Sequence, residues 1–190
     1  MSTIFESQSP NPVRSLTISL WNANGLRATT VQDVLSHTMT SDILFVTETF
    51  LLSGYFPADG YTQFHVFGTR VNNSSQKRRG RGQDGITAFV SPHCPFPVTQ
   101  LPSYNAYTLS LRVGSVNMHC CYFPPRLPDS LVLPALRSIP LGSDTIICGD
   151  FNGRLGDVLG DKIMTPRGAD LASWCLERNR SEERRVGKEC

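Results

Sequence analysis

The sequence predicts an α/β or α+β sandwich whose sheets are covered by helices, and three observations predict it. Compact apolar runs such as "DILFVTE" and "DTIICGD" recur, stretches with 3.6-residue spacing fall between them, and two runs are separated only by "VGS". The runs read as strands, the longer period as amphipathic helices and the short separator as a hairpin.

In order along the chain, "SLTISL" (Ser15 to Leu20) alternates with period two and places Leu16, Ile18 and Leu20 on one strand face. From Thr30, the positions Val31, Val34, Leu35 and Thr38 follow a helical period, with Thr29 or Thr30 placed to cap its free amides. "DILFVTE" (Asp42 to Glu48) is apolar enough to be buried on both faces. "GITAFVS" (Gly85 to Ser91), "YTLSLRVG" (Tyr107 to Gly114) and "SVNMHCCYF" (Ser115 to Phe123) add three strands. Between Pro124 and Pro140 the prolines limit any helix to short pieces, although Leu131, Leu133 and Leu136 call for burial. After the strand in "DTIICGD", the segment "ADLASWCLERN" reads as a helix with Leu171, Trp174 and Cys175 inward.

With 190 residues, 39% hydrophobic and 18% charged, the chain suits one domain with a substantial core. A net charge of +2 excludes a global basic field, so a nucleic-acid partner has to be read from local patches. Residues 1–14 read as a disordered leader without secretion character. No run approaches the ~18 apolar residues of a membrane span, so no membrane partner is expected. The six cysteines lack C-x-x-C spacing and several sit in apolar strand-like runs, which fits reduced thiols in an intracellular protein better than a zinc site.

Polar residues collect where the apolar strands stop: "WNANG", "TET", "CYFPP" and "GDFNG". Loops leaving neighbouring strand ends converge on one cleft, so Asn22, Asn24, Glu48, Tyr122, Asp150 and Asn152 are expected to share a site. Two carboxylates, three amides and a phenol are hard oxygen donors suited to Mg²⁺ or Mn²⁺. Such an ion polarises a phosphoryl oxygen, an aspartate takes a proton from water, and a phenol donates to the charge growing on phosphorus. Singly, each motif has an ordinary meaning: Asp-x-Asn and Asn-Gly make turns, and a tyrosine before prolines packs. Together and in order at strand ends, they point to phosphoester hydrolysis. His37, His65, His93 and His119 are scattered and read as ordinary surface or core residues.

These motifs resemble the endonuclease/exonuclease/phosphatase superfamily, Mg²⁺-dependent phosphoesterases with a two-sheet β-sandwich flanked by helices. "WNANGLRA" resembles its first metal-site motif, "DILFVTET" the motif whose Glu binds metal, "YFPP" the tyrosine motif and "GDFN" the water-activating motif. The resemblance implies an orienting role for Asn22, metal contacts for Glu48 and Asn24, and catalytic roles for Tyr122, Asp150 and Asn152. It covers about Leu16 to Asn179, so the domain is taken as 15–179. "TETFL", "GDFNGRLGD" and "PRGADLASWC" look most like endonuclease domains of non-LTR retrotransposons, which nick target DNA to prime reverse transcription. That implies DNA as partner, a reverse transcriptase on the same native polypeptide, and a nuclear setting. On this reading the basic cluster Lys77, Arg78, Arg79 and Arg81 tracks a DNA backbone.

The sequence departs from the family twice. Asp84 stands where the family often has a second glycine, and a carboxylate there is expected to alter the loop or repel phosphate. The family's late Asp and its final Ser-Asp-His are missing, and "RSEERRVGKEC" (Arg180 to Cys190) back-translates to a string resembling a sequencing adapter. The domain is therefore expected to be incomplete at its C-terminus and inactive as written. The alternatives are a small-molecule or lipid phosphoesterase of the same superfamily, or a non-catalytic remnant of the fold.

Overall fold

A computed structural model of the chain describes residues 15–37, 41–71, 82–160 and 162–178. The predicted leader, the four cations Lys77, Arg78, Arg79 and Arg81, and the tail from Arg180 lie outside the described residues.

One four-stranded sheet runs in the order β1 (Ile18–Asn22), β2 (Ile43–Thr47), β6 (Ile86–Val90), β3 (Thr62–Val66). A second runs β10 (Thr145–Asp150), β9 (Val116–Tyr122), β8 (Thr108–Val113), β7 (Val98–Gln100). A short ribbon pairs β4 (Thr69–Arg70) with β5 (Gly82–Gln83). The helices are α1 (Ala28–His37), α2 (Asp129–Arg137) and α3 (Pro166–Glu177).

Period-two alternation explains the layers. Ile43, Phe45, Ile86 and Ala88 of the first sheet pack against Leu109, Leu111, Met118 and Cys120 of the second, forming the core between the sheets. The residues one step along point outward. Val46 and Phe89 meet Val31 and Leu35 of α1, while Cys121 meets Leu136 of α2 and Leu171 and Trp174 of α3. The result is a helix–sheet–sheet–helix sandwich in which both faces of the central strands are buried, which is why "DILFVTE" and "GITAFVS" are apolar throughout. Burial of each such Leu, Ile or Phe contributes about 1.5–3 kcal/mol.

Each sheet also holds one parallel pair, β1 with β2 across α1 and β9 with β10 across α2. Parallel pairing puts the carboxyl ends of both strands on the same edge, with Asn22 beside Thr47 and Tyr122 beside Asp150. Because β10 packs against β1 and β2, all four strand ends meet.

Gly149 makes the β10 end possible. Its φ is 142°, and a Cβ there would lie 1.9 Å from the Cys121 carbonyl oxygen. Gly149→Ala is expected to push β10 off β9 and dislodge Asp150, seen as a lowered melting temperature together with weakened divalent-metal binding; parental values for both would refute this account.

Some boundaries differ from the sequence reading. The first strand is shifted to Ile18–Asn22 by its register with β2, and Leu20 remains 44% exposed near the sheet end. Helix α1 starts at Ala28, so Thr29 and Thr30 lie inside it and do not cap it; Thr38 lies outside the described residues. The proline-rich stretch forms a nine-residue helix with Pro134 inside it, burying Val132, Ala135 and Leu136 and leaving Leu131 half exposed. Helix α3 begins earlier than expected, with Pro166 in its first turn and the Thr165 hydroxyl accepting from Gly168 N. Strands β3, β4, β5 and β7 were not anticipated. They are short or polar segments at sheet edges, stabilised by pairing more than by an apolar pattern.

Cys94, Cys120, Cys121 and Cys148 are thiols outside any disulfide. Burial pushes the Cys120 thiol upward and Cys121 from an ordinary 9.0 to about 12. Groups raised on folding contribute stability that is fully present below their unfolded pKa and lost as pH climbs toward the folded one. The urea midpoint is therefore expected to fall between about pH 9 and pH 12. Cys121→Ala is expected to flatten that dependence, and a midpoint constant across the window would contradict it.

Candidate active site

Asn22, the last residue of β1, is the hub. Its Nδ2 donates to Asp150 Oδ2 at 2.8 Å and to Glu48 Oε1 at 3.1 Å, and its Oδ1 accepts from Asn24 N at 3.1 Å. The Tyr122 hydroxyl, at the end of β9, donates to the same Glu48 Oε1 at 2.8 Å. Asn152 N donates to Asp150 Oδ1 at 3.0 Å, while Asn152 Nδ2 reaches the Phe123 carbonyl at 3.1 Å. Asn22, Glu48, Tyr122, Asp150 and Asn152, drawn from both sheets, thus form one connected network. The sixth predicted residue, Asn24, joins through its backbone N–H, and its side chain makes no hydrogen bond to the others.

The loops carrying these groups are conformationally unusual. Among the described residues, the non-glycine positions with positive φ are Asn24 (44°), Glu48 (53°), Phe50 (59°), Asp84 (65°) and Asn152 (50°). All five lie in loops that meet at this end of the sandwich. Left-handed conformations in non-glycine residues cost of order 1–3 kcal/mol each and persist where the surroundings hold them. Here the hold is visible: Gly25 N donates to Glu48 O at 2.7 Å, Leu26 N to Thr49 O at 3.1 Å and Phe50 N to Asp84 O at 2.8 Å.

Burial raises the Tyr122 phenol well above its ordinary value, reinforced by its bond to Glu48 and by the charges of Glu48, Asp84 and Asp150. Tyr122 is therefore a neutral hydrogen-bond donor across the physiological range. Two of the histidines are engaged elsewhere. His65 Nδ1 pairs with Thr87 Oγ1 at 3.0 Å and His119 Nδ1 with Ser110 Oγ at 2.8 Å, both pushed below the ordinary histidine pKa by burial.

Two contributors escaped the sequence reading. Arg167, only 5% exposed, donates from Nε to Asp129 Oδ1 at 2.7 Å and from its two NH groups to the carbonyls of Phe123, Pro124, Phe151 and Leu127 at 2.5–3.3 Å. It ties the loop after Tyr122 to the loop after Asp150. The available signal was its spacing from Leu171 and Trp174, which puts Arg167 on the apolar face of α3. The second is the ion pair between Arg126 and Asp84. Asp84 takes the left-handed conformation that a glycine would suit, and Arg126 pairs with the carboxylate that the sequence reading expected to repel phosphate.

Donor chemistry tests whether the site suits a hard divalent ion. Glu48 Oε2 receives no hydrogen bond from the described residues, and Asp150 and the asparagine carbonyls beside it are hard oxygens, as Mg²⁺ or Mn²⁺ requires. Among the described residues no three His, Cys, Asp or Glu side chains gather into a cage. The set therefore fits an ion that keeps most of its water, which is the habit of Mg²⁺. A surface depression of about 470 Å³ lined by Gln32, Leu35, Ala58 and Tyr61 shares no residue with the network.

Neither a protein-family model nor a curated protein matches the chain. Solved structures do. An AP endonuclease from Archaeoglobus fulgidus superposes with a TM-score of 0.59 at 16% identity, covering 86% of this chain and 71% of that one. An AP endonuclease from Leishmania major gives 0.55 at 16%, covering 84% and 62%. The chain has an endonuclease/exonuclease/phosphatase-type fold. The 3′ phosphatase NExo from Neisseria is also similar, with a TM-score of 0.49 and 20% identity over 76% of this chain. The chain spans 61% of the length of NExo and 62% of the Leishmania protein.

Proposed function

We propose that this chain carries the metal- and water-binding part of a divalent-metal phosphodiesterase acting on DNA, of the kind found in non-LTR retrotransposons. The network joining Asn22, Glu48, Tyr122 and Asp150 across the two sheets carries the reading. Glu48, with Asn24 beside it, would hold Mg²⁺ or Mn²⁺, and the bound ion supplies Lewis acidity toward a phosphoryl oxygen. Asp150, fixed by Asn22 and by the backbone of Asn152, accepts the proton of the attacking water. Asn152, anchored on the Phe123 carbonyl, orients that water. Tyr122, kept neutral by burial and by Glu48, donates toward charge developing on phosphorus.

Support for DNA as substrate comes from the basic run at Lys77, Arg78, Arg79 and Arg81 and from the retrotransposon-like motifs, which also imply a reverse transcriptase on the native polypeptide and a nuclear setting. His65 and His119 are held inside the sheets by Thr87 and Ser110 and do not serve the phosphate, and turnover by the 190-residue chain is proposed to be negligible. The test is Mn²⁺ binding, followed by paramagnetic resonance with Mg²⁺ as competitor, alongside a plasmid-nicking assay. Competitive metal binding without nicking is expected. Absence of metal binding would overturn the site, and nicking at ordinary Mg²⁺ would overturn the claim of negligible turnover.

A further inference from the structure

The ion pair between Asp84 and Arg126 does more than neutralise a stray carboxylate. Asp84 lies between β5 and β6 beside the first sheet, and Arg126 lies in the loop after β9 of the second, so the pair spans the two sheets at the end where Glu48, Tyr122 and Asp150 meet. Asp84 is close enough for its charge to act on Tyr122.

Its two halves are unequal. The Asp84 side chain is 17% exposed, and its Oδ1 is buried without a hydrogen-bond partner among the described residues. The Arg126 side chain is 52% exposed and touches Asp84 through one terminal nitrogen, leaving its other guanidinium donors without a partner among the described residues. A guanidinium has five donors in a planar fork that matches two oxygens of a phosphate, so this one is under-used. The backbone on both sides is fixed. Arg167 clamps the carbonyls of Phe123, Pro124 and Leu127 around Arg126, and the Asp84 carbonyl accepts from Phe50 N. Of the pair, the Arg126 side chain is the one that reaches further into solvent.

We propose that Arg126 is a phosphodiester contact of this site and that Asp84 is its intramolecular competitor, displaced when a substrate phosphate takes the guanidinium. The proposal rests on the phosphodiesterase reading above and adds a specificity device to it. A lone phosphate or weak anion competes poorly with a carboxylate tethered beside the cation, whereas a polyanionic strand held by further contacts displaces it.

A double-mutant cycle tests this, using the full chain, a fluorescein-labelled DNA duplex, Ca²⁺ in place of Mg²⁺ and anisotropy across a salt series. Asp84→Asn and Arg126→Gln keep shape, and circular dichroism melts establish that all four proteins are folded. Arg126→Gln is expected to weaken binding and to reduce the log–log salt slope by about one, the signature of one lost phosphate contact. Asp84→Asn is expected to tighten binding about tenfold in the parent, consistent with the size of charge-pair coupling across interfaces, and less than about twofold in the Arg126→Gln background, where no latch remains. Equal tightening in both backgrounds would make Asp84 a simple repulsive charge and end the latch proposal. Four proteins binding equally would remove the latch while leaving DNA as the substrate, and four failing to bind would remove both.

Discussion

Replacing Arg167 by alanine is expected to destabilise the domain by about 3–5 kcal/mol, since several hydrogen bonds from a buried charged donor are lost together at about 1.5–3 kcal/mol each, and to lower its melting temperature by roughly 6–20 °C for a domain of this size. The side chain is 5% exposed and satisfies four carbonyls and one carboxylate. Removing it takes this donor from the Phe151 and Leu127 carbonyls, whereas Phe123 O keeps Asn152 Nδ2 and Pro124 O keeps Leu127 N; each buried oxygen left unpaired costs about 1–3 kcal/mol unless water enters. Arg167→Lys offers a single ammonium in place of the fork and is expected to recover less than half of the loss. The effect is also local to the site. The clamped carbonyls belong to the loops that follow Tyr122 and Asp150, so metal binding should weaken at temperatures where the variant is still folded. A thermal melt within about 2 °C of the parent would show that the guanidinium is dispensable, against the size effect expected for even ~1 kcal/mol.

Glu48→Gln is expected to leave the fold in place and to weaken Mn²⁺ binding by on the order of 100-fold or more, since disturbing even an outer partner of a metal ligand costs 10–100-fold. Glutamine retains a carbonyl oxygen for the Tyr122 hydroxyl and tolerates the same backbone, so stability in the absence of metal should change little. What disappears is the charged hard oxygen facing the ion. Thermal shift provides a second readout, because a ligand that binds only the native state raises the melting temperature with the logarithm of its concentration over Kd. The parent is expected to gain stability in millimolar Mn²⁺ and the variant to gain almost none. Equal shifts in both proteins would place the ion elsewhere and remove Glu48 from the site.

Much of this was legible in the sequence because it is locally encoded. "DILFVTE" and "GITAFVS" are apolar at consecutive positions, which only a strand buried on both faces explains, and both are central strands. The polar strand ends were legible for the same reason: Asn22, Tyr122 and Asp150 each follow directly on an apolar run, and the fold brings them together with Glu48 and Asn152. The partners that stabilise this geometry could not be read that way. Arg167 lies 38 to 44 positions from most of what it binds, Arg126 lies 42 from Asp84, and the decisive Asn22 to Asp150 hydrogen bond spans 128.

By itself the sequence determined which segments are strands buried on both faces and which side chains stand where those strands stop. Periodicity and turn chemistry act over a few residues, and that is the range over which one chain can be read. Tertiary structure decided that Asn22 sits between two carboxylates, that Asn24 enters through its backbone, that Arg167 is buried and that Asp84 is paired. Those outcomes depend on the register of β1 against β2 and of β10 against β9, and on two sheets packing face to face, where the burial of charges and carbonyls selects one partner among many.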